Sequence, residues 1–279
     1  DASKDDGGWS LELINPDLPC SGASNWTASN DESGATPGAQ NSVFSTAPDL
    51  SAPQIATALV QGATEVLLQF NEPLNEDLSG LQVMIGRLEG SEFVELPYEL
   101  VSSNVISAEV EPYPNQVLLS FDQAFSAPLI YEVQLSGISD CSGNAVSAVD
   151  YAFAMFAVPE FHEPGDLIIN EILFNPLDDG VDYIEIYNRS NKNINLEGWK
   201  ISNTTSEPQE ISSDQKIIFR GDYALLSISS LTVKSQFPLG VEANFIELDG
   251  FPSFSNGDGT AVLMDSLEVE SDQLQYSED

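Results

Sequence analysis

Any chemistry in this chain would have to be carried by carboxylates, since 45 Asp and Glu face 8 Lys and Arg, two Cys and a single His. Glu171 and Glu185 fall on adjacent predicted strands, where two carboxyl groups could approach each other as a glycosidase pair does. Asp178-Asp-Gly-Val-Asp182 and Asp140-Cys-Ser-Gly-Asn144 place carboxylates and backbone carbonyls in loops, the oxygen donors that a hard cation such as Ca²⁺ selects. Asp178, Asp179, Asp182 and Asp140 are therefore candidate ligands. Neither loop has the EF-hand spacing, and each also reads as an Asx turn that caps its own backbone. Tyr183 and Tyr187 share one face of a strand and could stack on a sugar. The plainer reading is the other half of a sandwich or an interdomain contact.

Nucleophilic catalysis needs a base beside a Ser or Cys. His162, the only His, sits in a Pro-flanked linker with no surrounding motif such as Gly-x-Ser-x-Gly, so it reads as a surface or packing residue. Cys20 and Cys141 lack the clustered Cys or His of a zinc site and are either one disulfide or two buried thiols. Sequons at Asn25, Asn188 and Asn203 are incidental in a chain this rich in Asn and Ser.

The elements that must position these groups are all strands. Tyr183-Ile-Glu-Ile-Tyr-Asn188 alternates Ile184 and Ile186 against Tyr183, Glu185 and Tyr187, the period of a half-buried strand. Ile194 and Leu196 alternate in one phase and Trp199 and Ile201 in the opposite one, so a bulge at Glu197-Gly198 is expected to restore the inward direction and make Trp199 a core anchor. Further strands read at 65–70, 117–121, 129–135, 151–156, 216–219, 223–228, 244–248 and 261–265. Residues 231–237 offer one helical turn. Val158 to Pro164 is a natural linker.

A formal charge of −37, with acids in excess along the whole length, repels nucleic-acid phosphate and anionic membranes. No apolar run is long enough to span a bilayer or serve as a signal peptide, and with no initiator Met the chain reads as a processed product or a fragment. The acidity itself reads as solubility in a salty or calcium-containing exterior.

The string Ile169-Asn-Glu171, then Asp182-Tyr-Ile-Glu-Ile-Tyr-Asn188, then Leu196-Glu-Gly-Trp199 resembles the lamin-tail domain, an immunoglobulin-like β-sandwich common in secreted bacterial proteins. The resemblance implies structural roles for Asn170, Glu171, Glu185, Asn188 and Trp199, with Asn170 on the inner face. Gln69-Phe-Asn-Glu-Pro73 with Leu135-Ser-Gly-Ile-Ser-Asp-Cys-Ser-Gly-Asn144 resembles the bacterial Ig-like module of surface-layer and secreted proteins. Residues 1–45 resemble the closing strand and exit loop of a lamin-tail domain. Trp9, Leu11 and Leu13 there form an apolar strand face without a local partner.

The expectation is an all-β chain: the end of a lamin-tail-like domain at 1–45, an Ig-like sandwich at 46–160, and a lamin-tail-like sandwich at 165–279 that lacks its closing strand. Its function reads as a non-enzymatic structural or adhesive segment of a large modular secreted or cell-surface bacterial protein. Residues 8–14 would supply the closing strand of a lamin-tail-like sandwich, either head to tail in other copies or neighbouring repeats or, as the alternative, in the 165–279 sandwich of the same chain, and Cys20 would pair with Cys141. The alternative is a glycan- or Ca²⁺-binding accessory module of an exported hydrolase, with an extracellular glycan or protein as partner. Ca²⁺ is the one cofactor the sequence admits.

Overall fold

A computed structural model describes residues 4, 7–18, 22–106, 114–240 and 244–277. The chain divides into two compact units, Asp1–Phe125 with Tyr131–Phe156, and Ser126–Ile130 with Ala157–Asp279. Both are built of short strands, as alternating apolar residues separated by Pro, Gly and Asn turns dictate.

The first unit opens on a hairpin of β1 (Leu11–Leu13) and β2 (Trp26–Ala28), linked through a 3-10 turn at Gly22–Asn25. This corrects two expectations. β1 has a local partner, so donation of residues 8–14 loses its premise. Its buried face is also the other one: Leu11 is 67% exposed and Glu12 only 4%. The Glu12 carboxylate accepts hydrogen bonds from the Thr36 hydroxyl and from the Ser42 N–H and hydroxyl, each at 2.7 Å. Such bonds to a carboxylate are about twice as strong as neutral ones and outweigh the apolar alternation.

β3 (Ile55–Gly62), β4 (Glu65–Phe70), β5 (Gln82–Glu89), β6 (Glu92–Glu95), β7 (Leu100–Ile106), β8 (Gln116–Phe121), β9 (Ile130–Ser136) and β10 (Ala152–Ala157) make two four-stranded sheets, ordered β3-β4-β8-β7 and β10-β9-β5-β6. Val66, Leu68 and Phe70 of β4, Val117, Leu119 and Phe121 of β8, and Tyr131, Val133 and Leu135 of β9 are buried. Phe125 stacks on Tyr98 at 4.9 Å and meets Tyr131 and Phe156 edge-on at 5.1 and 5.0 Å. Edge-to-face and offset contacts of this kind add to the area term of burial.

The second unit contains β11 (Leu167–Leu173), β12 (Tyr183–Asn188), β13 (Ile194–Asn195), β14 (Lys200–Ser202), β15 (Gln209–Glu210), β16 (Ile217–Ile218), β17 (Tyr223–Ser227), α1 (Ser230–Gln236), β18 (Phe245–Glu247), β19 (Asp258–Met264) and β20 (Glu270–Ser277). The sheets are β11-β12-β17-β18 and β15-β14-β19-β20, with a small β13-β16 pair. β17 and β18 are parallel and therefore need the crossover that α1 supplies. Ser229 caps α1 by accepting from the Thr232 N–H at 3.2 Å. The core gathers Leu167, Ile184, Ile186, Trp199, Ile201, Leu226, Phe254 and Leu263.

Trp199 and Ile201 point inward as expected, by a different device. Leu196 to Trp199 is a turn closed by Trp199 N–H to Leu196 O at 3.0 Å, with Gly198 at φ +74. The chain thereby leaves the β13-β16 pair and joins the β14-β19 ladder. A change of sheet, not a bulge within one strand, reverses the phase. β20, a strand that the alternation does not mark, runs along β19, and Leu274 and Tyr276 pack on the core.

Candidate functional site

In the first unit the isolated bridge Leu74↔Asp140 lays the end of β4 against the turn after β9. Asp140 is locked there, accepting from the Asn144 N–H and side-chain amide at 2.8 Å each. The same Asn144 amide reaches Asp49 O at 3.3 Å. Asp49, Glu72 and Asp140 thus converge, with carboxylate oxygens within 4.8 Å of one another. Burial, then the charges of Asp140 and Asp49, push the Glu72 carboxyl up to about 7. Three hard oxygen donors around an uncompensated charge fit a divalent cation, whose shell carbonyls or water would complete. Asp140 was legible as a ligand candidate. Glu72 and Asp49 were not, because sequence shows the Phe-x-Glu-Pro end and the Asp-x-x-Gly-Asn turn but not the bridge that joins them.

The other aspartates do not converge. Asp178 and Asp179 are exposed turn residues, Asp179 at φ +63. The Asp182 carboxyl is raised by burial, opposed by a backbone hydrogen bond from Phe254.

In the second unit the outer face of β11-β12-β17-β18 and the α1 segment enclose a groove of about 350 Å³, lined among others by Glu171, Glu185, Tyr223 and Phe237. Glu171 stands opposite Glu185 in the β11-β12 register. Tyr183 is buried, 6% exposed, edge-on to Phe237 at 5.8 Å, and its hydroxyl donates to Glu171. Its ring is held inside the groove wall. Tyr187 stacks on Tyr223 at 4.5 Å. Asn170 departs from expectation: it lies exposed at the irregularity between Ile169 and Glu171, and its amide donates to Glu185 at 2.7 Å. The bulge turns it away from the core.

The remaining motif residues are internal supports. Asn188 is fully buried, donating to Lys192 O and Ile218 O at 2.8 and 3.0 Å and accepting from Ser190. Asn25 is buried on Asn15 and Leu18. Neither sequon is therefore presented at the surface of the fold, whereas Asn203 sits in an exposed turn with Thr205 and Ser206. His162 lies 4.7 Å from the Trp199 ring, and its Nε2 is 3.1 Å from Asp265 Oδ2. Burial works to raise the Asp265 carboxyl, but His162 and the N–H groups of Val269 and Leu267 hold it below the usual range. Cys141 is disulfide-bonded. Cys20 lies outside the described residues.

Both units are thus β-sandwiches, and the polar residues of the second are spent mainly on fixing its turns. Residues 161–278, within the second unit, match the family model Lamin Tail Domain. Solved structures similar to the chain include the N-terminal part of the bacterial S-layer protein SbsC, at 13% identity over 82% of this chain and 45% of that one, TM-score 0.28. Another is surface layer protein SbsC, domains 1-6, at 10% identity over 81% and 40%, TM-score 0.29. The chain spans less than half of either. No curated protein matches it.

Proposed function

We propose that the chain is a non-enzymatic structural segment of a large modular bacterial protein exposed outside the cell, in which β-sandwiches in series act as spacer or adhesive units beside further copies or repeats. The observation that carries this reading is the disulfide at Cys141, in a chain whose two units are both sandwiches and whose charge is −37. Disulfides persist in oxidising compartments, and so uniform an acidic surface favours solubility in a saline exterior. The test is protease shaving of intact cells of the source organism, followed with an antibody to this chain. Loss of the signal with the membrane intact is the expected result. A signal that survives until lysis would reject an external location.

A second reading, favoured by the Asp49, Glu72 and Asp140 cluster, is that Ca²⁺ stiffens the first unit. Calorimetric titration with CaCl₂ after chelation should give one site per chain, lost in Asp140→Asn. Heat unchanged by that substitution would assign the binding to the general acidity of the surface.

A further inference from the structure

The outer face of β11-β12-β17-β18 breaks a rule that sheets ordinarily keep. Glu171 and Glu185 are direct cross-strand neighbours, and like charges in that position repel. Among the described residues neither takes part in an ion pair. The hydrogen-bond donors they do have, the Tyr183 hydroxyl and the Asn170 amide, are neutral. A sequence that keeps such a clash in a packed sheet commonly does so for a site.

The surroundings say what would relieve it. The cross-strand row of Glu171 and Glu185 continues through Leu225 to Phe245, which makes a carboxylate floor at one end and an apolar one at the other. Tyr223, 40% exposed, and Phe237, 43% exposed, border the groove. Aromatic faces attract cations, and one wall already shows this: the Lys234 ammonium stands 5.2 Å from the centroid of the Phe245 ring. A neutral sugar would leave both carboxylates uncompensated. A hard cation would want further oxygen donors around the two carboxylates, and the row beyond them, Leu225 and Phe245, is apolar.

We propose that this groove binds an alkylammonium group, with Glu171 and Glu185 facing the charge and Tyr223 and Phe237 enclosing the adjacent methylenes or methyls. The group could be presented on a partner protein as a lysine side chain or arrive as a free quaternary amine. Both share the chemistry.

The experiment follows backbone amide shifts by NMR while the whole chain is titrated with Nα-acetyl-lysine methylamide, choline chloride or the neutral Nα-acetyl-norleucine methylamide. Saturable shifts centred on residues 171, 185 and 223 are expected with at least one cation and not with the norleucine compound. A stronger response to the lysine compound identifies a protein side chain as the ligand, and a stronger one to choline a free amine. Glu171→Gln with Glu185→Gln should weaken binding at least about tenfold, as loss of both charges that face the cation does. Those variants keep an acceptor for Tyr183 and Asn170 and remove a repulsion, so they should fold. Glu92→Gln with Glu95→Gln on β6 removes the same charge from the other unit and should leave binding as it was. Equal weakening by both pairs would reduce the effect to diffuse counterion attraction and overturn the proposal, as would equal binding of the norleucine compound.

Discussion

Glu12 takes both the backbone N–H and the hydroxyl of Ser42 at 2.7 Å, which fastens β1 to a loop 30 residues further on. Burial works against the charged form of Glu12, but hydroxyls of Thr36, Ser42 and Ser29 and the Ser42 N–H outweigh it and bring the carboxyl down to about 2 from 4.5. A depressed carboxyl stabilises the fold above its unfolded value and loses that contribution as pH falls through its folded one. The hairpin segment should therefore loosen between about pH 4.5 and 2. Melting curves across that range should fall steeply for the parent and less steeply for Glu12→Gln, which should melt lower at pH 7. Parallel curves would show that Glu12 contributes nothing.

Glu72 has the opposite sign. Its folded carboxyl, raised from 4.5 to about 7, contributes stability that is complete below the unfolded value and is lost as pH rises through about 7. Glu72→Gln should raise the melting temperature at pH 8 and change it little at pH 4. Calcium should raise the parent at pH 8 and leave Glu72→Gln unmoved. A variant that gains equally at both pH values would disconnect the effect from titration.

Trp199 is 1% exposed in the core of the second unit. Truncation to Ala should destabilise that unit by about 3–5 kcal/mol. Urea unfolding followed by near-ultraviolet circular dichroism measures it, and a midpoint equal to the parent's would remove Trp199 from the core.

Cys141 has Cys20 as the chain's one other cysteine. Pairing of the two should give no free thiol under denaturing conditions and should stabilise the first unit by about 4–5 kcal/mol in the chain-entropy model. Two thiols per unreduced chain would refute the pairing.

Asn188→Ala should cost about 1–3 kcal/mol, because the buried Ile218 carbonyl loses its amide donor. Asn203→Ala, in an exposed turn, should cost clearly less. Equal losses would mean that burial at Asn188 has no energetic consequence.

Strands with strict alternation were legible: the reading at 65–70 coincides with β4, and those at 117–121 and 223–228 differ from β8 and β17 by a residue. β5 to β7 were not, because Arg87, Glu89 and Ser103 interrupt the apolar period and burial there is partial. The phase of β1 was misread because apolar alternation cannot register a carboxylate that collects three close donors. Nor can it foresee Gly80 and Gly137, whose backbones approach so closely that a Cβ on Gly137 would lie 1.9 Å from Gly80 O. The groove residues Glu171, Glu185 and Tyr183 were named from sequence, but Tyr223 and Phe237 join them only through the β12-β17 register and the α1 crossover.

β11 and β20 have a mechanical consequence. Ser271 lies at Gly165 and Leu167, Asp272 at Ile169, and Tyr276 stacks on Phe174 at 4.3 Å, so β11 and β20 of the second unit run side by side in the same direction. Tension entering before residue 165 and leaving after 277 pulls them in opposite senses along their length. Their contacts are then loaded together in shear instead of opening one after another, and the domain should resist stretching far better between those points than across them.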